Sequence, residues 1–152
     1  MANTHTSSSI VEALRGKGLR VTPQRVAVYD NLLKRSDHPT VDQIMIDLNH
    51  DLPVSSKATI YSTLSSLREA GLVREILLEE GVTRYDSNVG PHHHFRCSSC
   101  SSIIDVPWNA LNVSWAENLP GGHAISSHEV TIHGICNSCR NAADKGGDAA
   151  TN

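Results

Sequence analysis

Apolar residues in the first half of the chain recur at spacings of three and four, the pattern of helices that bury one face. The first such segment follows a capping-box pattern at residues 9–12 and is predicted to end by Gly16 or Gly18. The second begins at Thr22-Pro23, where a capping Thr precedes a Pro at the first helical position. The chain is therefore predicted to start with two short amphipathic helices.

A third helix is predicted after a break at His38-Pro39, because Pro39 disfavours helical geometry at the residue before it. Thr40 and Gln43 have the spacing of a capping box, which marks the start of this helix. Apolar residues then recur on one face as far as Leu48.

A fourth helix is predicted from Ser55 or Ser56 to Gly71, since glycine suits the left-handed position after a helix. Residues 72–78 and 82–85 have the composition of two strands of a hairpin. Helices followed by a hairpin form a winged helix-turn-helix domain, in which the helix before the hairpin enters the major groove of DNA. The small, polar outer face of the fourth helix favours DNA binding, although any exposed amphipathic helix has a polar face.

A segment with Ser, Asn and Gly separates this region from a β-rich second half. Residues 102–106 and 125–135 are predicted strands, and residues 110–119 a helix. The last residues are small and polar, which predicts a disordered tail. The fold class is therefore α+β. The predicted boundaries are 1–85 for the winged-helix domain, 86–91 for a linker, 92–141 for the second domain and 142–152 for the tail.

The composition limits the classes of protein to consider. At 152 residues the chain makes one domain or two small ones, and one Phe and two Trp indicate modest cores that a structural metal would stabilise. The net charge of −3 does not by itself indicate a nucleic-acid binder. There is no run of 18 apolar residues and no pattern typical of a signal peptide, so we expect no membrane span and a cytoplasmic protein.

The four cysteines form two Cys-x-x-Cys pairs, Cys97 with Cys100 and Cys136 with Cys139. In a reducing compartment such pairs favour metal over disulfides, and four thiolates complete a closed tetrahedral Zn²⁺ site with a structural role. The alternative is a thioredoxin-like redox pair. It is disfavoured because neither pair opens a helix after a buried apolar strand.

Three consecutive histidines precede the first cysteine pair. Alternation along a strand would place His92 and His94 on one side and His93 on the other. Asp105, from the next predicted strand, could join the first two. Two imidazoles and a carboxylate are a typical partial shell for Fe²⁺ or Mn²⁺. The alternatives are a solvated, His-rich surface turn and an incidental zinc trap.

Four motifs occur in an order that resembles the ferric uptake regulator superfamily, over about residues 9–140. They are GLRVTPQR at residues 18–25, His38-Pro39-Thr40, ATIY at residues 58–61, and His92-x-His94-x-x-Cys97-x-x-Cys100. The resemblance implies a homodimeric, metal-dependent transcription repressor that binds double-stranded operator DNA. It also implies an N-terminal winged helix domain and a C-terminal α/β dimerisation domain.

Within the superfamily the chain is most similar to the peroxide-sensing branch. Iron-responsive members usually have Glu at two ligand positions where this chain has Asp86 and Asp105. Some members have an extra metal site, of which His128 matches one position while Pro91 and Asn112 replace two others. The implied structural zinc ligands are Cys97, Cys100, Cys136 and Cys139, and the implied regulatory Fe²⁺ or Mn²⁺ ligands are His38, Asp86, His92, His94 and Asp105.

The resemblance also implies how such a protein would sense peroxide. Fe²⁺ beside His38 and His92 would reduce peroxide and oxidise a ligating histidine, whereas Mn²⁺ would give a less reactive form. One ion bound by all five ligands would fix the angle between the domains. The expected DNA-contacting residues are Arg20, Lys57, Thr59, Tyr61 and Ser62.

Two other functions stay open. One is an iron- or zinc-responsive repressor without a peroxide step. The other is a zinc metalloenzyme, which is disfavoured because the deaminase signature needs a His-x-Glu that the sequence lacks. We therefore expect a regulator rather than an enzyme.

Overall fold

The computed structural model describes residues 6–50, 56–111, 121 and 123–146. The chain divides into two compact units, Met1–Gly90 and Pro91–Asn152, which we call the N-terminal and C-terminal units. No helix in these described ranges is long and apolar enough to cross a membrane.

Four helices form most of the N-terminal unit, and three of them begin at the predicted caps. The hydroxyls of Thr22, Thr40 and Ser56 each accept a hydrogen bond from the backbone N–H three residues later. The side chain of Gln43 completes the predicted capping box at Thr40. The helices are α1 (Ser7–Gly16), α2 (Pro23–Leu33), α3 (Val41–Leu48) and α4 (Lys57–Glu69).

The capping box predicted at residues 9–12 is wrong. Thr6 caps α1 instead, because its Oγ1 accepts a hydrogen bond from Ser9 N–H at 3.3 Å, and Ser9 lies inside the helix. The predicted helix ends are confirmed. α1 stops at Gly16, and Gly71 follows α4 with a φ of 68°, a left-handed value that glycine adopts without strain.

The apolar faces of the four helices meet in one core. Helix α2 contacts α1, α3 and α4, and the side chains of Leu14, Ile44 and Leu64 are fully buried. The hairpin joins this core through Tyr85. Burial of this apolar surface is the main term that stabilises the unit.

The predicted hairpin is confirmed as two antiparallel strands, β1 (Arg74–Glu79) and β2 (Val82–Asp86). The turn between them includes Gly81, whose φ is 72°. The register pairs Arg74 with Asp86, so the last residue of β2 lies opposite the first residue of β1.

The C-terminal unit is built on a three-stranded sheet with the order β4-β3-β5. The central strand β3 pairs antiparallel with β4 and parallel with β5. Residues His92 to Cys97 therefore lie on a central strand that is hydrogen-bonded to a neighbouring strand on each side. The elements are β3 (His92–Cys97), β4 (Ile103–Pro107), a 3₁₀ turn at Trp108–Ala110, β5 (Thr131–Gly134) and α5 (Asn137–Gly146).

Two predicted boundaries in the C-terminal unit need correction. The strand predicted over residues 125–135 begins only at Thr131, since the N–H of Val130 donates to the ring of His93 at 3.2 Å. The tail predicted from residue 142 overlaps α5, which continues to Gly146 through two alanines, the best helix formers. The helix predicted over residues 110–119 lies largely outside the described residues, as does the tail after residue 146.

Candidate metal centres and nucleic-acid interface

The four cysteines meet at one end of the sheet. Cys97 ends β3, and Cys100 lies in the turn before β4. Cys136 directly precedes α5, and Cys139 lies in its first turn. Their Sγ atoms all lie within 4.8 Å of one another. The Cys100–Cys136 Sγ distance of 3.7 Å matches the edge of about 3.8 Å expected for a tetrahedron with Zn–S bonds of about 2.3 Å. The sulfurs therefore fit a closed, four-coordinate Zn²⁺ site.

Hydrogen bonds and the close packing of the thiols shift the pKa values of the cysteines in opposite directions. The N–H groups of Cys100 and then Cys136 lower the pKa of Cys97 to about 6, which favours its thiolate. The Ser99 hydroxyl lowers the pKa of Cys139, but the neighbouring thiols outweigh it and raise that pKa to about 12. Four thiolates cannot share this space without a positive charge between them, so the group fits a metal better than a redox pair.

A second group of ligand atoms lies on one face of the same sheet. His92 and His94 point to the same side of β3, and Asp105 on β4 pairs with His94. The two Nε2 atoms are 3.1 Å apart, and Asp105 Oδ1 lies 3.5 Å from His92 Nε2 and 3.9 Å from His94 Nε2. Nitrogen ligands about 2.1 Å from a metal would be about 3.0 Å apart at a right angle. The group therefore fits a divalent cation.

Burial distinguishes this group from a surface turn. The side chains of His92 and His94 are 4 % and 0 % exposed, whereas that of Asp105 is 39 % exposed. The sequence-based alternative of a solvated, His-rich turn is therefore wrong.

His93 faces the opposite side of β3, as predicted. Its ring stacks on Trp108 with centroids 4.7 Å apart and lies 5.8 Å from that of His128. Its Nδ1 accepts the hydrogen bond from Val130 N–H, and the side chain is fully buried. His93 is thus a packing residue between the sheet and the 3₁₀ turn.

Sequence reasoning missed Glu129. Its Oε1 lies 2.8 Å from His94 Nδ1, the ring nitrogen that faces away from His92 and Asp105. Glu129 is 35 positions from His94, and no local spacing indicates the contact. Only the parallel pairing of β3 with β5 brings the two residues together.

The N-terminal unit holds two of the predicted regulatory-metal ligands, His38 and Asp86. Their Nε2 and Oδ2 atoms are 4.0 Å apart, and both side chains are buried. The carboxylate of Asp86 is held by Arg74 Nε at 3.1 Å and by Asn88 N–H at 2.7 Å. The φ of His38 is 53°, so this residue is left-handed rather than merely non-helical. A left-handed conformation costs conformational free energy in a residue other than glycine. In His38 this conformation places the imidazole beside the end of β2.

A groove between the loop before α2 and the outer face of α4 forms a candidate nucleic-acid interface. Its volume is about 570 Å³. Three of the predicted DNA-contacting residues, Arg20, Thr59 and Ser62, line it. Tyr61 is 49 % exposed on α4. Lys57 is exposed at the start of α4, where its Nζ lies 2.6 Å from Asp42 Oδ1.

Arg25 is a second residue that sequence reasoning missed. It lines the groove, donates from Nη1 to the carbonyl of Arg20 at 2.8 Å, and donates from Nη2 to Ser66 Oγ at 3.4 Å. Ser66 Oγ in turn donates to the carbonyl of Ser62. Arg25 therefore joins the loop that carries Arg20 to the outer face of α4.

The ferric uptake regulator family model matches residues 16–133, which include α2 to α4, the hairpin and the sheet except its last residue, Gly134. The chain belongs to the ferric uptake regulator family. Among curated members, the peroxide-responsive repressor PerR of Staphylococcus aureus (strain Mu50) is 32 % identical over 90 % of this chain and 93 % of that protein. The peroxide operon regulator of Bacillus subtilis is 34 % identical over 89 % and 94 %. These relatives are regulators rather than enzymes.

Solved structures of other family members have the same fold. The peroxide stress regulator of Campylobacter jejuni is 28 % identical, with a TM-score of 0.63 over 90 % of this chain and all of that one. The Helicobacter pylori ferric uptake regulator, described as having three functional metal binding sites, is 20 % identical. Its TM-score is 0.67 over 92 % of this chain and 97 % of that one. The predicted fold class, a winged-helix domain followed by a small α/β domain, is confirmed.

Proposed function

We propose that the protein is a cytoplasmic, metal-dependent, homodimeric transcription repressor that senses peroxide. One observation supports this most strongly. Strand β3 of the C-terminal unit contributes to two ligand sets of different chemistry. Cys97 belongs to a closed set of four sulfurs, and His92 and His94 belong to an open set with the Asp105 carboxylate of β4. Sulfur ligands suit a structural Zn²⁺, whereas imidazole and carboxylate suit Fe²⁺ or Mn²⁺, which exchange with the cell's supply.

We assign one ion to each set. Cys97, Cys100, Cys136 and Cys139 hold structural Zn²⁺. His92, His94 and Asp105 bind Fe²⁺ or Mn²⁺ together with His38 and Asp86 of the N-terminal unit. Asp86 and His92 are six positions apart, so an extended chain separates them by at most about 20 Å. This short connection allows ligands from both units to bind one ion.

The regulatory ion would control DNA binding by holding the two units at one angle, which we call the clamp. An ion that needs ligands from both units favours one angle between them, by its difference in affinity for the two states. In a dimer this angle sets the separation of the two α4 helices, which must match half-sites about one turn of DNA apart. Metal-loaded protein then binds its operator, and metal-free protein binds weakly.

Peroxide acts on the ligands. Bound Fe²⁺ supplies the redox chemistry that activates peroxide. One oxygen atom of H₂O₂ is added to an imidazole carbon of His38 or His92 and the other leaves as water. An oxidised imidazole is a poorer ligand, so the clamp opens and repression ends.

Mass spectrometry tests the peroxide step. After treatment of Fe²⁺-loaded protein with H₂O₂, we expect a gain of one oxygen on His38 or His92, and no gain with Mn²⁺. Trypsin places His38 and the exposed His50 in one peptide, residues 36–57, so fragment ions compare the two directly. Residues 85–96 form another such peptide, in which His93 is the internal control. Metal-dependent DNA binding without this oxidation would instead support a plain iron- or zinc-responsive repressor.

The groove predicts how the protein binds DNA. Replacing Arg20 with Gln should weaken binding to any duplex and reduce the slope of log K against log salt by about 0.9, the effect of one lost phosphate contact. A suitable probe is a duplex selected from a random-sequence library by the Mn²⁺-loaded wild-type protein. The matched control is Arg68→Gln, since Arg68 lies at the far end of α4 and pairs with Glu75. Equal slopes for the two variants would remove Arg20 from the interface.

A further inference from the structure

Glu129 contacts a proposed metal ligand on the side that faces away from the metal. Its Oε1 lies 2.8 Å from His94 Nδ1, while His94 Nε2 points toward His92 and Asp105. We propose that Glu129 is a positioning residue that fixes the tautomer of His94 and so sets the affinity of the His92, His94 and Asp105 group for its cation. This inference rests on the proposed function of that group.

Hydrogen bonding to Glu129 determines which ring nitrogen of His94 carries the proton. A carboxylate accepts hydrogen bonds and cannot donate them, so the Glu129 contact requires a proton on His94 Nδ1. A neutral imidazole carries one proton, which leaves a lone pair on Nε2. That lone pair is the one directed at the ligand group. The negative charge of Glu129 also makes the ring a stronger donor to a cation.

The neighbouring histidine shows the opposite arrangement. His93 Nδ1 lies 3.2 Å from the N–H of Val130, which can only donate, so this nitrogen accepts and the proton is on Nε2. Two adjacent residues, Glu129 and Val130, therefore impose opposite tautomers on two adjacent histidines. The ring that keeps its lone pair on Nε2, that of His94, is the one on the ligand side of the sheet.

Backbone contacts hold Glu129 in place for this role. The carbonyl of Val130 accepts a hydrogen bond from His94 N–H at 3.0 Å, which aligns the segment before β5 with β3. His94 is fully buried on the central strand, so its ring has little freedom to turn. Glu129 is 38 % exposed, so its carboxylate also retains contact with water.

The tautomers can be measured before any regulatory metal is added. In zinc-loaded protein, ¹⁵N-detected imidazole spectra should show the proton on Nδ1 of His94 and on Nε2 of His93. In Glu129→Leu, His94 should become a mixture of tautomers while His93 is unchanged. A wild-type His94 with its proton on Nε2 would overturn the proposal, whatever the fate of the variant.

Metal binding is the second readout, with Mn²⁺ alone as the probe. Loss of a hydrogen-bonding partner of a metal ligand typically weakens affinity by about 10–100-fold, which is the range expected for Glu129→Leu. Glu129→Gln keeps an acceptor for Nδ1–H and should recover most of the loss. The control is Glu12→Leu on the exposed face of α1, with zinc content and melting temperature measured for each protein.

The outcomes separate the two proposals. If wild-type protein binds no Mn²⁺ beyond the cysteine site, the proposed function fails, whereas the spectra still decide the tautomer of His94. If wild-type protein binds Mn²⁺ and Glu129→Leu binds it equally well, Glu129 does not position His94 and only this inference is lost.

Discussion

Replacing Cys97 with Ser is expected to remove zinc and unfold the C-terminal unit while the N-terminal unit stays folded. Cys97 is fully buried at the end of the central strand and accepts a hydrogen bond from Cys136 N–H at 3.3 Å. Within the described part of this unit, the buried hydrophobic residues are only Cys97 and Ile103. The other buried side chains in this described part are three histidines, so apolar burial among these residues contributes little.

A metal must supply the missing stability. Binding of structural Zn²⁺ to small modules contributes about 10–16 kcal/mol, at least comparable to the whole stability of a typical domain, which is about 5–15 kcal/mol. Loss of one of four ligands should therefore shift the folding equilibrium of the unit by several orders of magnitude. The N-terminal unit has its own helical core of buried leucines and isoleucines and contains none of the four cysteines, so we expect it to stay folded without zinc.

Two measurements on the full chain check this prediction. Zinc per chain should fall from one to near zero, and amide hydrogen exchange should accelerate in β3 and β5 but not in α2 or α4. Ser98→Ala, an exposed change in the same turn, is the matched control and should keep both properties. A Cys97→Ser protein that retained its zinc and its protected strands would show that the sulfurs are not the structural centre.

Elements of the N-terminal unit could be predicted because their signals are local. Thr22, Thr40 and Ser56 each accept from an amide only three positions later in the sequence. Each helix that they begin also has its own periodic spacing of apolar residues. The one failure, at α1, has the same origin. Thr6 and Ser9 are both able to cap, and the sequence does not decide between them.

Contacts across the sheet could not be predicted in the same way. Strand alternation correctly placed His92 and His94 on one face and His93 on the other, because it depends only on neighbouring residues. The contact of His94 with Glu129 depends instead on the parallel pairing of β3 with β5, which no periodicity reveals. The shortened β5 has the same cause, since the amide of Val130 donates to a side chain rather than to the sheet.

Replacing Asp105 with Ala is expected to abolish metal-dependent DNA binding while zinc and the fold stay intact. Asp105 is 39 % exposed on β4, so its truncation leaves no large cavity and the cost in stability is small. Its loss leaves the C-terminal group with two imidazoles and no negative charge. Affinity for Mn²⁺ should fall by more than about 100-fold, since loss of a mere hydrogen-bonding partner of a ligand already costs about 10–100-fold.

The decisive measurement is binding of the selected duplex with and without Mn²⁺, alongside zinc content. Wild-type protein should bind far more tightly with Mn²⁺, and Asp105→Ala should bind weakly in both conditions. Asp105→Glu is the conservative control, because it keeps the carboxylate and should keep the response to Mn²⁺. If Asp105→Ala bound Mn²⁺ weakly but still bound DNA like the loaded wild type, the metal would not control the angle between the units. A variant that lost zinc as well would place Asp105 in the fold of the sheet rather than in a regulatory site.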